Sequence, residues 1–300
     1  MPLIGVLGGD SPERYADRLR AFHRGLTETG YIEGQNLRVE YRWPGSNDTL
    51  PALAAELARM HVEAIVALGS TPAAIAAKAA TSTIPVIFFV GADPVRLGLV
   101  TDLAHPSGNL TGVTTLSWEL VAKRVELLHE AVPTTNSIAL LVNPTNPSIV
   151  EAAINEAKMA TRKLGLTLDV LNASSEREFD TVFATLTQPR ARAALVIAAD
   201  AFFLGEGQQL GALALGRLVP AIFQYRPFAV AGGLMSYGTS IETYGLAGIY
   251  TGQILKGKKP ADLPVQQVTK VELIINKKSA ETLGITFPLS LLGRADEVIE

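Results

Sequence analysis

The sequence predicts an α/β protein built from two lobes, each a doubly wound, parallel sheet. The chain has 300 residues, which is long for one hydrophobic core and favours two domains. Short apolar runs recur along it and end in small or polar residues, as expected of strands buried on both faces of a parallel sheet. Helical patterns of about 10–20 residues separate these runs, and such alternation is typical of βαβ units.

The individual elements follow from the hydrophobic period and the residues that interrupt it. Eight strands are predicted in the two lobes, at 3–8, 37–41, 64–68, 85–90, 138–142, 166–171, 193–199 and 220–223. Seven helices are predicted between and after them, at 14–29, 50–60, 72–80, 119–131, 148–164, 176–186 and 203–218.

The lobe boundary is predicted where the strand–helix series is interrupted. Residues 91–113 carry turn chemistry and few helical signals, and a new series starts after them. The second series ends near 232–238 and is followed by a helix, a polar loop and an alternating strand at 268–275. This tail is too short for a third lobe, so it must return to the first two across a hinge. We predict lobe one as 1–113 plus about 239–264, and lobe two as 114–238 plus about 265–300.

Composition excludes several classes of function. The absence of cysteine excludes a disulfide framework, cysteine-ligated zinc, iron–sulfur clusters and thiol catalysis. A net charge of −3 without a basic stripe argues against nucleic-acid binding. No apolar run reaches the roughly 18–20 residues that a membrane helix needs. The four histidines are scattered, and no dinucleotide, phosphate-loop or nucleophile-elbow motif fits its required context. We therefore expect no metal, no cofactor and no enzymatic activity.

Polar residues beside prolines follow several predicted strands. Ligands of open α/β sheets bind at the carboxyl ends of strands, where helix N-termini attract anions. Plain helix capping explains any one of these residues alone, but several on facing lobes would line a cleft with hydrogen-bond donors. We predict that Ser70 and Thr71 bind a ligand carboxylate. The other candidates of this kind are Asp10, Ser11, Ala92, Asp93, Asn143 and Asn146.

A second group of candidates would recognise the rest of the ligand. Asp200 follows a predicted strand and can pair with a ligand ammonium group, since a buried charge must be paired; the alternative is an N-cap. Phe202 can cover an aromatic ring or belong to the core. The remaining candidates lie near strand ends or crossings: Trp118, Tyr225, Ser236 and Tyr237. We expect a small zwitterion or carboxylate with an apolar, aromatic side chain.

Ordered motifs along most of the chain resemble the substrate-binding proteins of bacterial ABC transporters, in the family that includes tryptophan-binding and other aromatic-amino-acid-binding members. The motifs are GSTPAA at 69–74, GADPV at 91–95, GNLTGV at 108–113, AGGLMSYG at 231–238, ILKG at 254–257, PADLP at 260–264, IN at 275–276, LG at 283–284 and RAD at 294–296. The resemblance implies a type I periplasmic-binding-protein fold, with two lobes that are joined by three crossings and close on a ligand.

The resemblance also implies an exported monomer, free in the periplasm or anchored to the membrane outside the cytoplasm, that docks on a permease. The chain departs from the family pattern in three places. No export signal precedes the first strand, Pro227 stands where an acidic residue is more usual, and Val268 stands where proline is common. The last two bear on the hinge or the pocket rim and not on the fold.

The leading hypothesis is a receptor that captures its ligand in an interlobe cleft and closes on it. Two alternatives stay open. The first is an enzyme on a similar scaffold, such as a racemase or nucleoside hydrolase, and the lack of a catalytic constellation argues against it. The second is the sensor domain of a transcription regulator, which should carry a helix-turn-helix ahead of the first strand, whereas this chain begins in the strand.

Overall fold

The computed structural model describes residues 1–106, 108–188 and 193–300. The chain forms two compact units and passes between them three times. The first unit comprises Met1–Leu116 and Ile241–Thr269, and the second comprises Ser117–Ser240 and Lys270–Glu300. Each unit contains one sheet with helices packed against it. The predicted fold class, two α/β lobes with parallel sheets, is confirmed.

Strands and helices alternate through most of the described chain. The strands are β1 Leu3–Leu7, β2 Arg38–Arg42, β3 Ala64–Leu68, β4 Val86–Val90, β5 Leu110–Thr114, β6 Ser137–Val142, β7 Thr167–Asn172, β8 Ala193–Ile197, β9 Ala221–Phe223, β10 Met235–Gly238, β11 Gln266–Gln267, β12 Glu272–Asn276 and β13 Glu297–Ile299. The α-helices are α1 Ala16–Glu28, α2 Leu50–Arg59, α3 Thr71–Ala80, α4 Leu120–Ala131, α5 Pro147–Leu164, α6 Phe179–Leu186, α7 Ala201–Gly205, α8 Gly207–Gly216, α9 Arg226–Val230, α10 Gly245–Leu255, α11 Lys277–Thr282 and α12 Leu289–Leu292. Among the described residues, none of the helices combines the length and apolar character needed to cross a membrane.

The sheet of the first unit is parallel throughout, in the order β11-β5-β4-β3-β1-β2. Strands β3, β4 and β5 are buried along their whole length, which explains their continuous apolar sequences. Strand β2 lies at the edge and is half-buried. The sequence analysis missed β5, because threonine and glycine interrupt its short run.

The sheet of the second unit has the order β13-β12-β10-β9-β8-β6-β7. Its strands pair in parallel except β10 and β12, which are antiparallel. Strands β6 and β8 are fully buried and carry core side chains on both faces. Strand β7 is an edge strand with mostly exposed residues, so its predicted burial on both faces is wrong.

Two further boundary predictions need correction. The single helix predicted at 203–218 is two helices, α7 and α8, which separate where Gly205 and Gly207 flank Glu206. The strand predicted at 268–275 begins only at Glu272. Residues 265–269, assigned to lobe two from the sequence, instead belong to the first unit, because β11 pairs with β5.

Helices α1 and α10 pack at unusually close range in the first unit. A Cβ atom on Gly25 would overlap the carbonyl oxygen of Gly245, and one on Gly248 would overlap the carbonyl oxygen of Phe22. Glycine is therefore required by the approach of two backbones rather than by a turn conformation. This contact fixes α1, which begins just after the carboxyl end of β1, against the return segment that carries α10.

We expect Gly25→Ala to destabilise the first unit, because the new methyl group can be accommodated only if two helices move apart. Overpacking of this kind costs about 1–3 kcal/mol. The matched control is Gly216→Ala, at the end of α8, where a Cβ meets no atom within 4 Å; there, alanine should leave stability unchanged or raise it by about 0.4–1 kcal/mol. Calorimetric melting measures both, and equal melting temperatures for the two variants would contradict the close-packing account.

Candidate functional site

In the first unit, the loops that follow β1 and β3 lie against each other. The backbone N–H of Gly9 donates to the hydroxyl of Tyr15 at 3.0 Å. A Cβ atom on Gly9 would lie 2.6 Å from the Cβ of Ser70 and 2.8 Å from the Tyr15 hydroxyl oxygen. The Tyr15 hydroxyl also lies 3.5 Å from the carbonyl oxygen of Gly69. Because Gly9 has no side chain, the start of α1 and the start of α3 can lie close together.

Ser70 and Thr71 form the N-terminus of α3. The Ser70 hydroxyl accepts a hydrogen bond from the Ala73 N–H at 3.2 Å and caps the helix. Thr71 is 3% exposed, and its Oγ1 atom has no hydrogen-bond partner among the described residues. A buried hydroxyl without a partner costs free energy unless another molecule satisfies it. Capping therefore accounts for Ser70 but not for Thr71.

The other candidates of the first unit stabilise local turns. The Asp10 carboxylate accepts from the Ser11 N–H at 2.7 Å and pairs with the Arg14 guanidinium at 3.1 Å. The Asp93 carboxylate accepts from the backbone N–H groups of Val95 and Arg96.

Two of the remaining candidates in this unit contribute backbone and hydroxyl groups to the same loops. The Ser11 hydroxyl lies 3.4 Å from the Arg14 N–H. The Ala92 carbonyl accepts from the buried Thr114 hydroxyl at 3.0 Å. Turn formation accounts for these contacts of Asp10, Ser11, Ala92 and Asp93, and their predicted ligand contacts stay predictions.

Arg18 on α1 is a buried cation that the sequence analysis missed. It is 1% exposed, and its guanidinium carbon lies 4.0 Å from the centre of the Tyr15 ring. Its Nε and Nη1 atoms have no hydrogen-bond partner within the described part of the chain. Burial raises the pKa of Tyr15 and the charge of Arg18 partly offsets that rise, so the phenol stays neutral at pH 7. Helical spacing was the available signal, because Arg18 lies four residues before Phe22 on the buried face of α1.

In the second unit, Asp200 is the centre of a hydrogen-bond network. Its two carboxylate oxygens accept from the side-chain amides of Asn143 at 2.9 Å and Asn146 at 3.0 Å. Oδ1 of Asp200 also accepts from the Phe202 N–H at 3.0 Å, which caps α7. The network joins the loops after β6 and β8, so the three polar candidates predicted in these loops do lie together.

Phe202 and Trp118 differ in what surrounds them. Phe202 packs on Phe179 and Phe203, with ring centres 5.5 and 5.4 Å apart. It therefore extends the core cluster under β8, which was the alternative reading of its sequence position. Trp118 is half-buried and lies at the turn that leads into α4, where its carbonyl accepts from the Val121 N–H.

The other candidates of the second unit lie near a second buried arginine, Arg124. Arg124 donates from Nε to the carbonyl of Tyr237 at 2.8 Å and from Nη1 to the carbonyl of Ser117 at 3.4 Å. Burial lowers the pKa of the Arg124 guanidinium to about 10, so it remains charged at neutral pH. Tyr225 is buried at the start of α9. Ser236 is also buried, and its hydroxyl finds no partner in the described chain.

The chemistry available in these two groups of residues is that of hydrogen bonding and charge pairing. The first unit offers unpaired donors, a hydroxyl and a guanidinium, beside a helix N-terminus. The second unit offers a carboxylate whose oxygens already accept from two amides. Within the described ranges, no group of three or more histidine and carboxylate side chains is placed to hold a metal ion.

Comparisons with known proteins find relatives that match most of the chain. A tyrosine-binding protein of Clostridioides difficile strain R20291 is 26% identical over 269 residues, which are 89% of this chain and 76% of that protein. The structure of an ABC domain from Streptococcus pneumoniae in complex with L-Trp matches with a TM-score of 0.86 and 28% identity, over 99% of both chains. A conserved domain protein from Vibrio cholerae matches with a TM-score of 0.88 and 27% identity, again over 99% of both chains.

The family comparison covers almost the whole sequence. The family model described as ABC transporter substrate binding protein matches residues 10–299. That range includes both units and all fourteen candidate residues predicted from the sequence. The resemblance stated from the motifs is therefore confirmed, and the chain belongs to the family of ABC transporter substrate-binding proteins.

Proposed function

We propose that this protein is the receptor for an aromatic amino acid, which it delivers to the permease of an ABC importer. The observation that carries the proposal is the buried, unpartnered hydroxyl of Thr71 at the N-terminus of α3. Helix α3 has ten residues, and its N-terminus offers backbone N–H groups and positive partial charge to a carboxylate. The aromatic part of the proposal is supported by relatives, one bound to L-Trp and one named for tyrosine.

The second unit contributes a negatively charged group to the proposed ligand contacts. Asp200 carries the negative charge that a ligand ammonium group would need. Its oxygens accept hydrogen bonds from the side-chain amides of Asn143 and Asn146 and from the Phe202 N–H. The Asp200 network thus holds the carboxylate in place, and we propose that it does so for an ammonium group. Tyr225, Tyr237 and Trp118 are the proposed partners of the ligand ring.

The remaining features of the proposal follow from membership of the family. We propose that the protein acts outside the cytoplasm, as a monomer, and releases its ligand chemically unchanged. Binding would then be a population shift towards a ligand-bound conformation. Incubation of the protein with tryptophan, tyrosine and phenylalanine, followed by chromatography of the solution, tests for turnover; a new product would identify an enzyme instead.

Calorimetric titration with tryptophan, tyrosine, phenylalanine, leucine and 3-indolepropionic acid tests the ligand class. We expect saturable binding of at least one aromatic amino acid and weaker binding of leucine and of the acid without an amino group. If leucine bound most tightly, the proposed contacts between aromatic side chains and a ligand ring would be wrong. No binding of any of the five would contradict the proposed ligand class.

Ser70→Ala combined with Thr71→Val should weaken binding of the aromatic amino acid about tenfold to a hundredfold, because the lost hydrogen bond from Thr71 to the charged carboxylate costs about 1.5–3 kcal/mol. The single variant Ser70→Ala separates capping from binding. It removes the N-cap and should lower stability by about 0.5–2 kcal/mol, whereas Thr71→Val should weaken binding without lowering stability. Affinity unchanged in the folded double variant would leave both residues with a structural role only.

Asp200→Ala should destabilise the second unit by about 2–4 kcal/mol, since it removes a helix cap and leaves two amide groups without their acceptor. Asp200→Asn keeps the cap and should cost less. If Asp200 binds the ammonium group, Asp200→Asn also lowers the affinity for tryptophan and leaves the affinity for 3-indolepropionic acid unchanged. Thermal melting and titration measure both effects. Glu151→Ala, an exposed change on α5, is the control and should stay within about 0.5 kcal/mol.

A further inference from the structure

We infer that Arg18 is the charge partner of the ligand carboxylate, a role that the sequence motifs do not assign to it. The inference rests on the proposed function, because it concerns the same ligand. Two independent features of the first unit point to it: the Nε and Nη1 atoms of the buried Arg18 guanidinium and the buried hydroxyl of Thr71, none of which has a hydrogen-bond partner among the described residues.

The contacts around Tyr15 place these two features next to each other. The guanidinium carbon of Arg18 lies over the Tyr15 ring, 4.0 Å from its centre. The hydroxyl at the end of that ring touches the Gly9 N–H and lies 3.5 Å from the Gly69 carbonyl oxygen. Gly69 directly precedes Ser70, the cap of α3. One phenol ring therefore separates Arg18 from the helix N-terminus that carries Thr71.

The charge of Arg18 requires an anion. Arginine does not lose its proton in proteins, and an isolated buried charge is costly unless it is paired. Asp10 lies close enough to raise the pKa of Tyr15, but its carboxylate pairs with Arg14. Asp17, the neighbour of Arg18 in sequence, pairs with Arg20 on the exposed side of α1. Neither of these two ion pairs satisfies the Nε and Nη1 groups of Arg18.

The geometry of the guanidinium fits a carboxylate. Arg18 interacts with Tyr15 through the ring face and a side-chain hydrogen bond, and its Nε and Nη1 groups are left without a partner among the described residues. Nε and Nη1 lie on different sides of the guanidinium, and each can donate a charge-assisted hydrogen bond to a carboxylate oxygen. The unsatisfied atoms of Arg18 include Nε and Nη1. A ligand carboxylate would accept from Arg18, while the hydroxyl and backbone N–H groups at the start of α3 donate to the same group.

The test compares each ligand with its amide, which lacks the negative charge. We expect Arg18→Met to lower the affinity for tryptophan about tenfold to a hundredfold and to change the affinity for tryptophanamide less than threefold. Arg20→Met is the matched control, because Arg20 lies on the same helix, carries the same charge and is exposed; it should leave both affinities unchanged. The melting temperature of ligand-free Arg18→Met should equal or exceed that of the wild type, since the variant removes an unpaired buried charge.

Two results would overturn the inference while leaving the proposed function intact. One is wild-type affinity for tryptophan in Arg18→Met. The other is an equal loss of affinity for tryptophan and tryptophanamide in Arg18→Met, together with a lower melting temperature. That result would mean that Arg18 only holds Tyr15 in position. If the wild type binds no aromatic amino acid, the proposed function is wrong. The wild type and Arg18→Met are then compared with any aliphatic amino acid or monocarboxylate that raises the melting temperature of the wild type. Stabilisation by inorganic phosphate alone, or by no anion, overturns the inference as well.

Discussion

The close approach of two loops at Gly9 is the constraint on which the first unit depends. Parallel strands end at the same edge of a sheet, but their loops touch only where side chains leave room. At Gly9 the backbone reaches both the Tyr15 hydroxyl and Ser70. A larger residue there would push α1 and α3 apart. Because α1 is also fixed against α10 through Gly25 and Gly245, Arg18 is held over Tyr15 by contacts on two sides.

The buried polar groups described in the two units differ in how many of their atoms already have partners. Asp200 in the second unit already accepts from two amides and a backbone N–H. Arg124 donates to two backbone carbonyls, although its Nη2 atom and the Ser236 hydroxyl have no partner among the described residues. Thr71 and Arg18 in the first unit lack such partners within the described residues. Unpaired buried donors are costly, so an anion bound to the first unit would remove a cost that the free protein carries.

The fold could be predicted from the sequence because burial on both faces leaves continuous apolar runs. Strands β3 and β4 are visible for this reason, whereas β5 is hidden by Thr111 and Gly112. The edge strand β7 has an apolar sequence but an exposed position, since periodicity does not show which strand lies at an edge. The last crossing was misplaced for a related reason: the two-residue strand β11 pairs with β5, and so short a strand leaves no pattern in the sequence.

The candidate site could be predicted only in part. Capping residues after strands are visible, and Ser70, Asn143 and Asp200 do lie at strand ends. Arg18 was missed because a charged residue on a helix is read as solvent-exposed, whereas its burial is a tertiary feature in which its guanidinium lies over the Tyr15 ring. The measurement that tests the account most directly is a crystal structure of the complex with L-tryptophan. The account predicts carboxylate oxygens within hydrogen-bond distance of the Thr71 hydroxyl and the Arg18 guanidinium; a carboxylate bound elsewhere, with both groups still unpaired, would contradict it.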